Sequence, residues 1–371
     1  MSPGDRPVST SHDRRASGFD QRGWVEARLD RGAVRPRRAR TDTQMCRTRD
    51  ASSAMHVIVH GGAGGVPDDP GPRQAVLDAA AARGTEAATP LDAVEAAVNV
   101  LESDERFNAG VGGAVQSDGV VRTDAGIMTS DRAVGAAAGM PGVERAVSVA
   151  RVVMEETPHV LVAGERAVDL AADFGVETGV DLLTARSRER WEEANPPSEA
   201  GESPPRAHLA WLRDRWGDHD AGEGDSVDRD GGDGVDRADR GAGTLDHTDH
   251  DTVGAVASDG ETFAAATSTG GRWFALAGRV GDVPQVGSGF YCAPAGGASA
   301  TGFGEDIARV TLSRRAVSLL ERGLDAETAA HVAIEEFGEL TGSEAGLIVL
   351  DADGAGSAYN SDGMQTAVAR S

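Results

Sequence analysis

The chain has 371 residues, a formal net charge of -24 and only 4% aromatic residues. That length allows one large domain or two ordinary ones, and the shortage of aromatics leaves core volume mainly to Val, Ala, Leu and Ile. A strongly acidic surface argues against nucleic acid and anionic membranes as partners. No apolar run approaches the roughly 18 residues of a membrane span, and two cysteines, Cys46 and Cys292, cannot build a disulfide framework or a Cys-based zinc site.

All 36 basic residues are arginine, and such an acidic, lysine-free surface fits a halophilic, salt-adapted protein. The N-terminal segment lacks the apolar stretch of a secretory signal, so a cytoplasmic location is expected. Residues 1–54 carry 12 Arg against 7 Asp/Glu with no apolar periodicity, which predicts a disordered basic extension. Two other readings stay open: translation starting at Met55, and a basic tail for nucleic acid.

From Met55 the pattern becomes that of a folded chain, and residues 55–194 form its first part. His56-Val57-Ile58-Val59 predicts a buried strand running into a glycine loop over residues 60–65. Thr89-Pro90-Leu91-Asp92 carries the N-cap, N1 and first-turn residues of a helix, with Leu91, Val94, Val98 and Leu101 on one face. Further helices are expected over about 143–156 and 164–174. Residues 195–251 hold 15 Asp/Glu against 6 Arg and few aliphatics, which predicts an acidic flexible linker with one helical turn near Trp211. Order returns at Thr252: a strand over 252–257, a turn at Asp259-Gly260, and a returning strand over 263–269. Amphipathic helices are expected over 305–322 and 326–340, then a strand over 347–350, a turn at Asp353-Gly354 and a last strand from about Ser357. Helices in blocks with antiparallel hairpins define an α+β class rather than a Rossmann-type sheet.

The junction Asp251-Thr252 is where chemistry enters. An acidic linker stops directly at a buried-looking strand headed by threonine. A plain strand threonine is the commoner use of that residue. The other use is a nucleophile exposed by backbone cleavage, whose liberated α-amine, with a reference pKa of about 8, acts as base for its own hydroxyl. That device needs no separate His or Asp, so His60 is expected to be structural. The glycine loop after it lacks dinucleotide spacing, and Asp351-Ala352-Asp353-Gly354 lacks the later ligands of a calcium loop.

From Met55 onward the sequence resembles the plant-type asparaginase / isoaspartyl peptidase family of threonine N-terminal nucleophile (Ntn) hydrolases. The matching blocks are His60–Gly64, Phe107–Gly110 with Thr123–Ala125, Asp251–Val256, Thr267–Gly271, Gly278–Asp282 and Thr301–Glu305, in family order. The resemblance implies a four-layer αββα sandwich, cleaved between Asp251 and Thr252, with residues 252–371 as the second subunit. It implies Thr252 as nucleophile, Thr269 as the hydroxyl that tunes it, and Thr301 with the N–H of Gly302 as oxyanion hole. Asn108 helps to hold the nucleophile's amine, Arg279 clamps the substrate α-carboxylate, and Asp282 and the Gly304 carbonyl meet the α-ammonium. It further implies a small-molecule substrate (asparagine or a β-aspartyl peptide), no organic cofactor, and a homodimer of αβ pairs. In some members a structural sodium ion is wrapped by backbone carbonyls at positions matching Leu101, Glu102, Asp104, Phe107, Ala109 and Val111. One departure is Asp251, where many asparaginases carry Gly; Asp is a feature of the glycosylasparaginase branch, which is one rival reading. Gly270-Gly271 after the second threonine favours the asparaginase branch. The other rival is an unprocessed amino-acid binding module, against which the intact Thr252, Thr269 and Thr301 argue.

Overall fold

The computed structural model describes residues 54–65, 67–196, 205–216 and 252–371. The expected basic extension, apart from residue 54, lies outside the described residues, as does most of the expected linker, including Asp251.

Eleven strands are described, in two sheets. The larger has the order β11-β1-β5-β6-β2-β3-β4, with β1 His56–Gly64, β2 Arg122–Thr129, β3 Val134–Pro141, β4 Leu161–Ala163, β5 Val253–Ser258, β6 Phe263–Thr269 and β11 Gly363–Arg370. The smaller has the order β10-β9-β8-β7, with β7 Phe290–Ala293, β8 Gly296–Gly302, β9 Ala345–Leu350 and β10 Ala355–Tyr359. Pairing is antiparallel throughout except between β3 and β4, which run parallel. The molecule is therefore mixed α/β, with helices and sheets packed together.

Strand alternation places two cores. Val57 and Val59 of β1, with Val253, Ala255 and Ala257 of β5, face one apolar cluster. That cluster is completed by α1 (Gly71–Thr85), α2 (Pro90–Glu102) and α3 (Ala146–Glu156). Ile58 and Val256 point the other way, into a second cluster with β7–β9, α8 (Leu312–Leu320) and α9 (Ala326–Thr341). Strands buried on both faces read as continuous apolar runs, which is why β1 and β5 were visible in the sequence.

Local signals hold in several places. Thr89 caps α2 by accepting the Asp92 N–H at 3.2 Å, with Pro90 opening the helix. The 259–262 turn joins β5 to β6 with Ser258 opposite Phe263. Asp351 closes the β9–β10 turn by accepting the N–H groups of Asp353 and Gly354, so the Asp351–Gly354 stretch is a hairpin turn.

Four expectations are corrected. The glycine loop after β1 is itself strand, with a register shift between His60 and Ala63; Gly61 lets Phe107 approach to 2.6 Å of where a Cβ would sit. The helix expected over 305–322 is two, α7 (Gly304–Val310) and α8, broken at Thr311 with φ 54°. Tertiary bonds cause the break: the Ser313 and Arg314 amides donate to Ser288 and Gly287 carbonyls instead of continuing α7. The last strand is two, β10 and β11, and β11 returns to the larger sheet beside β1. The single turn near Trp211 is a helix, α6 (Pro205–Trp216), anchored by Trp211 against Phe274 at 5.6 Å between ring centres. The pairing in the core is antiparallel as expected, and the one parallel pair joins β3 to the short edge strand β4. Helix α4 (Glu165–Asp173) matches the helix expected there, whereas α5 (Ala185–Ala194) was not foreseen.

Candidate active site

Thr252 stands at the head of β5, buried to 8% exposure. Antiparallel pairing of Val253 with Ser268 puts it beside Thr269, the last residue of β6. The two hydroxyl oxygens are 3.4 Å apart. Thr269 Oγ1 also accepts the Gly271 N–H at 3.1 Å and reaches the Asn108 carbonyl at 3.4 Å. Asn108 comes from the turn after α2. Its side chain donates to the Gly271 carbonyl at 2.6 Å and accepts the Ala114 N–H at 2.8 Å. It therefore fastens the glycine pair after β6 and reaches Thr269 through its own backbone.

One small cleft is lined by Thr252, Thr269, Asn108 and Gly271 together with Arg272, Arg279, Asp282, Gly302 and Gly304. Thr301, one residue before Gly302 on β8, is fully buried and accepts the Ala63 N–H at 3.3 Å. Gly302 has φ 133°, a left-handed conformation open to glycine, and a Cβ there would strike the Glu344 carbonyl at 2.5 Å. Gly304 is equally constrained: a Cβ would lie 2.6 Å from Asp282 Oδ1 and 2.9 Å from Arg279 Nη2. Asp251 lies outside the described residues.

The charged wall of the cleft is a network. Glu305, at the start of α7, takes Arg279 by two parallel bonds, Nε to Oε1 at 2.9 Å and Nη2 to Oε2 at 2.8 Å. Burial opposes the Arg279 charge, but Glu305 outweighs it and holds the guanidinium pKa above its ordinary value. Burial likewise opposes the Glu305 charge, and Arg279 outweighs it, so Glu305 is held below the usual carboxylate range. The pairing occupies the Nε–Nη2 edge of the fork and leaves the outer edge for a second carboxylate. Asp282 is 5% exposed, its Oδ2 has no hydrogen-bond partner, and burial pushes its pKa up to about 7 against the pull of Arg279. A buried carboxylate oxygen without a donor keeps its capacity to accept a hydrogen bond from a group entering the cleft.

The sequence motifs assign no role to Arg272 or Glu305. Arg272 packs over the Phe303 ring at 4.7 Å and lies 3.8 Å from Glu305; burial lowers its pKa to about 10. Glu305 closes a motif block, and a carboxylate in the first turn of a helix beside an Arg-containing block was the signal that could have found it.

Backbone carbonyls in the 101–112 turn fit a monovalent cation in chemistry. Those of Glu102 and Asp104 accept the amides of Val111 and Phe107, and a carbonyl with one such bond keeps a second lone pair. The carbonyls of Glu102 and Phe107 face space that side chains at Gly110 and Gly112 would fill, at 2.2 Å and 2.8 Å from the Cβ positions. Among the described residues, no three His, Cys, Asp or Glu side chains group as a metal site, and no helix is long and apolar enough to cross a membrane.

The asparaginase family model matches residues 53–371. A plant-type L-asparaginase of Pyrococcus abyssi is 37% identical over 80% of this chain and 90% of its own length. One from Pyrococcus furiosus is 38% identical with the same coverage. An isoaspartyl peptidase/L-asparaginase of Rattus norvegicus is 32% identical over 81% of each chain. The mixed α/β fold and this match define a hydrolase. The chain belongs to the asparaginase family.

Proposed function

We propose that the protein is a self-cleaving amidohydrolase that converts L-asparagine to L-aspartate and ammonia and also hydrolyses β-aspartyl dipeptides. The observation that carries this reading is the placing of the Thr252 hydroxyl, 3.4 Å from that of Thr269, in a cleft shared with Arg279 and Asp282. A zwitterionic amino-acid head requires one cation and one anion, and those two side chains supply them. The fold in this reading is a four-layer αββα Ntn-hydrolase sandwich, supported by the two cores on opposite faces of β1 and β5.

Maturation begins when Thr252 Oγ1 attacks the Asp251 carbonyl carbon. The acyl group shifts from nitrogen to oxygen, and water hydrolyses the ester, freeing the Thr252 amine. In turnover that amine takes the hydroxyl proton as Oγ1 attacks the substrate side-chain carbonyl. Thr301 and the Gly302 N–H stabilise the oxyanion, ammonia or the amine leaves with the proton, and water releases aspartate from the Thr252 ester. Thr269 tunes the attacking hydroxyl. Asn108 acts through the Gly270-Gly271 turn and the backbone carbonyl that Thr269 meets. The Gly304 carbonyl and Asp282 take the substrate ammonium. No organic cofactor enters, and a sodium ion held by the 101–111 carbonyls would have a structural role. The working unit is a dimer of αβ pairs in a salt-rich cytoplasm, for which the net charge of -24 is suited.

Assay of asparagine, β-aspartyl-leucine and glucosaminyl-asparagine side by side tests the substrate assignment. Turnover of the first two and none of the third is expected. Preference for the glycosylated substrate would move the protein to the glycosylasparaginase branch.

A further inference from the structure

One step below the candidate catalytic threonines, a second polar row lies between the sheets. His60, Gly254 and Thr267 are direct neighbours across β1, β5 and β6. Ser299 of β8 reaches them from the opposite sheet. Its Oγ lies 2.8 Å from His60 Nε2 and 2.6 Å from Thr267 Oγ1, and Thr267 Oγ1 donates to the Gly289 carbonyl at 2.9 Å. His60, Thr267 and Ser299 are each fully buried. Gly254 makes the meeting possible, because a Cβ there would lie 2.0 Å from Ser299 Oγ and 2.5 Å from His60 Nε2.

The chain has one polarity. A carbonyl only accepts, so the Thr267 O–H is committed to Gly289. Thr267 then accepts from Ser299, and Ser299 accepts from a His60 ring protonated at Nε2. Burial pushes the His60 pKa down to about 3 against a smaller opposing effect of the Thr252 backbone, so the ring is neutral at working pH. At the far end, the Gly289 N–H donates to the Asp282 carbonyl at 3.1 Å.

Side chains two apart on a strand share a face. Thr252, Thr269 and Thr301 therefore stand one step along from Gly254, Thr267 and Ser299. We propose that the His60–Ser299–Thr267–Gly289 chain is a positioning relay that fixes the two sheets in register, so that Thr252 and Thr269 on one meet Thr301 and Gly302 on the other. This rests on the nucleophile reading above. Apolar contact between sheets is non-directional, whereas hydrogen bonds of this kind fix both distance and angle. The relay touches no substrate; it acts through the strands that carry the reacting groups.

Ser299→Ala deletes the middle member without adding volume, and Thr267→Val deletes a hydroxyl while keeping the side chain's shape. Each is expected to lower kcat for asparagine by at least ~10-fold and to slow self-cleavage, with KM within about threefold of wild type, as small misplacements of reacting groups do. Thr267→Ser keeps a hydroxyl and His60→Gln keeps an N–H at similar reach, so both are expected to retain most activity. A folded Ser299→Ala with wild-type kcat overturns the relay. So does an equal loss in Thr267→Ser and Thr267→Val, which would assign the effect to packing. If Thr267→Val fails to fold, Ser299→Ala decides alone. A folded wild-type protein that neither cleaves nor turns over would instead defeat the nucleophile reading and the relay with it, a result distinct from active wild type beside active variants.

Discussion

Asp282 shows what the cleft asks of a single residue. In the proposed reading its carboxyl must be ionised to receive a substrate ammonium, yet burial holds its pKa near 7. The ionised fraction grows as pH rises through that value, so kcat/KM for asparagine is expected to climb between about pH 6 and 8. The stability sign is the reverse. The folded pKa lies above the ordinary 3.8, so this group's contribution is complete below about pH 4 and is lost as pH rises through about 7. Asp282→Asn is expected to raise KM for asparagine by more than ~10-fold, since a hydrogen-bonded charge is worth roughly 1.5–3 kcal/mol. The same variant should gain stability above neutral pH in urea titrations. An unchanged KM would remove Asp282 from substrate binding. Asp124, buried on β2 opposite Thr269 and pushed by burial to about 7, follows the same stability sign.

At the scale of elements, small residues decide how closely the sheets approach. Gly126 on β2 faces Phe290 on β7, and a Cβ there would lie 1.9 Å from the ring. Gly126→Ala is expected to destabilise the fold by about 1–3 kcal/mol through overpacking; a thermal midpoint equal to wild type would contradict that packing. The same smallness explains what the sequence hid. Strands β1, β5, β6 and β9 were legible because they are β-branched or continuously apolar, and α2 because Thr89-Pro90 marks its start. Strand β8, Gly-Gly-Ala-Ser-Ala-Thr-Gly, has no β-branched residue until Thr301, and α1 has the alanine run 79–82 at its centre and little amphipathic contrast. The α7–α8 break was hidden because carbonyls of Gly287 and Ser288, far along the chain, impose it. Of the candidate site, the motif blocks were legible. The grip of Glu305 on Arg279 and the entry of Arg272 into the cleft were not, since both depend on how α7 turns back over the 272–289 segment.

For the whole molecule, the proposed cut divides a sheet that it cannot separate. Strands β1 and β2 precede Thr252, β5, β6 and β11 follow it, and the pairs β1–β5, β1–β11 and β2–β6 all join the two parts. Asn108 likewise comes from the first part, and the rest of the cleft from the second. Cleavage therefore frees an amine without freeing a subunit, and both fragments are expected to copurify. The most direct measurement is the denatured mass and N-terminal sequence of the purified protein beside its Thr252→Ala variant. We expect wild type to yield a fragment beginning at Thr252 together with asparagine turnover, and the variant to stay whole and inactive. Ammonia release from a polypeptide still continuous across positions 251 and 252 would contradict the account.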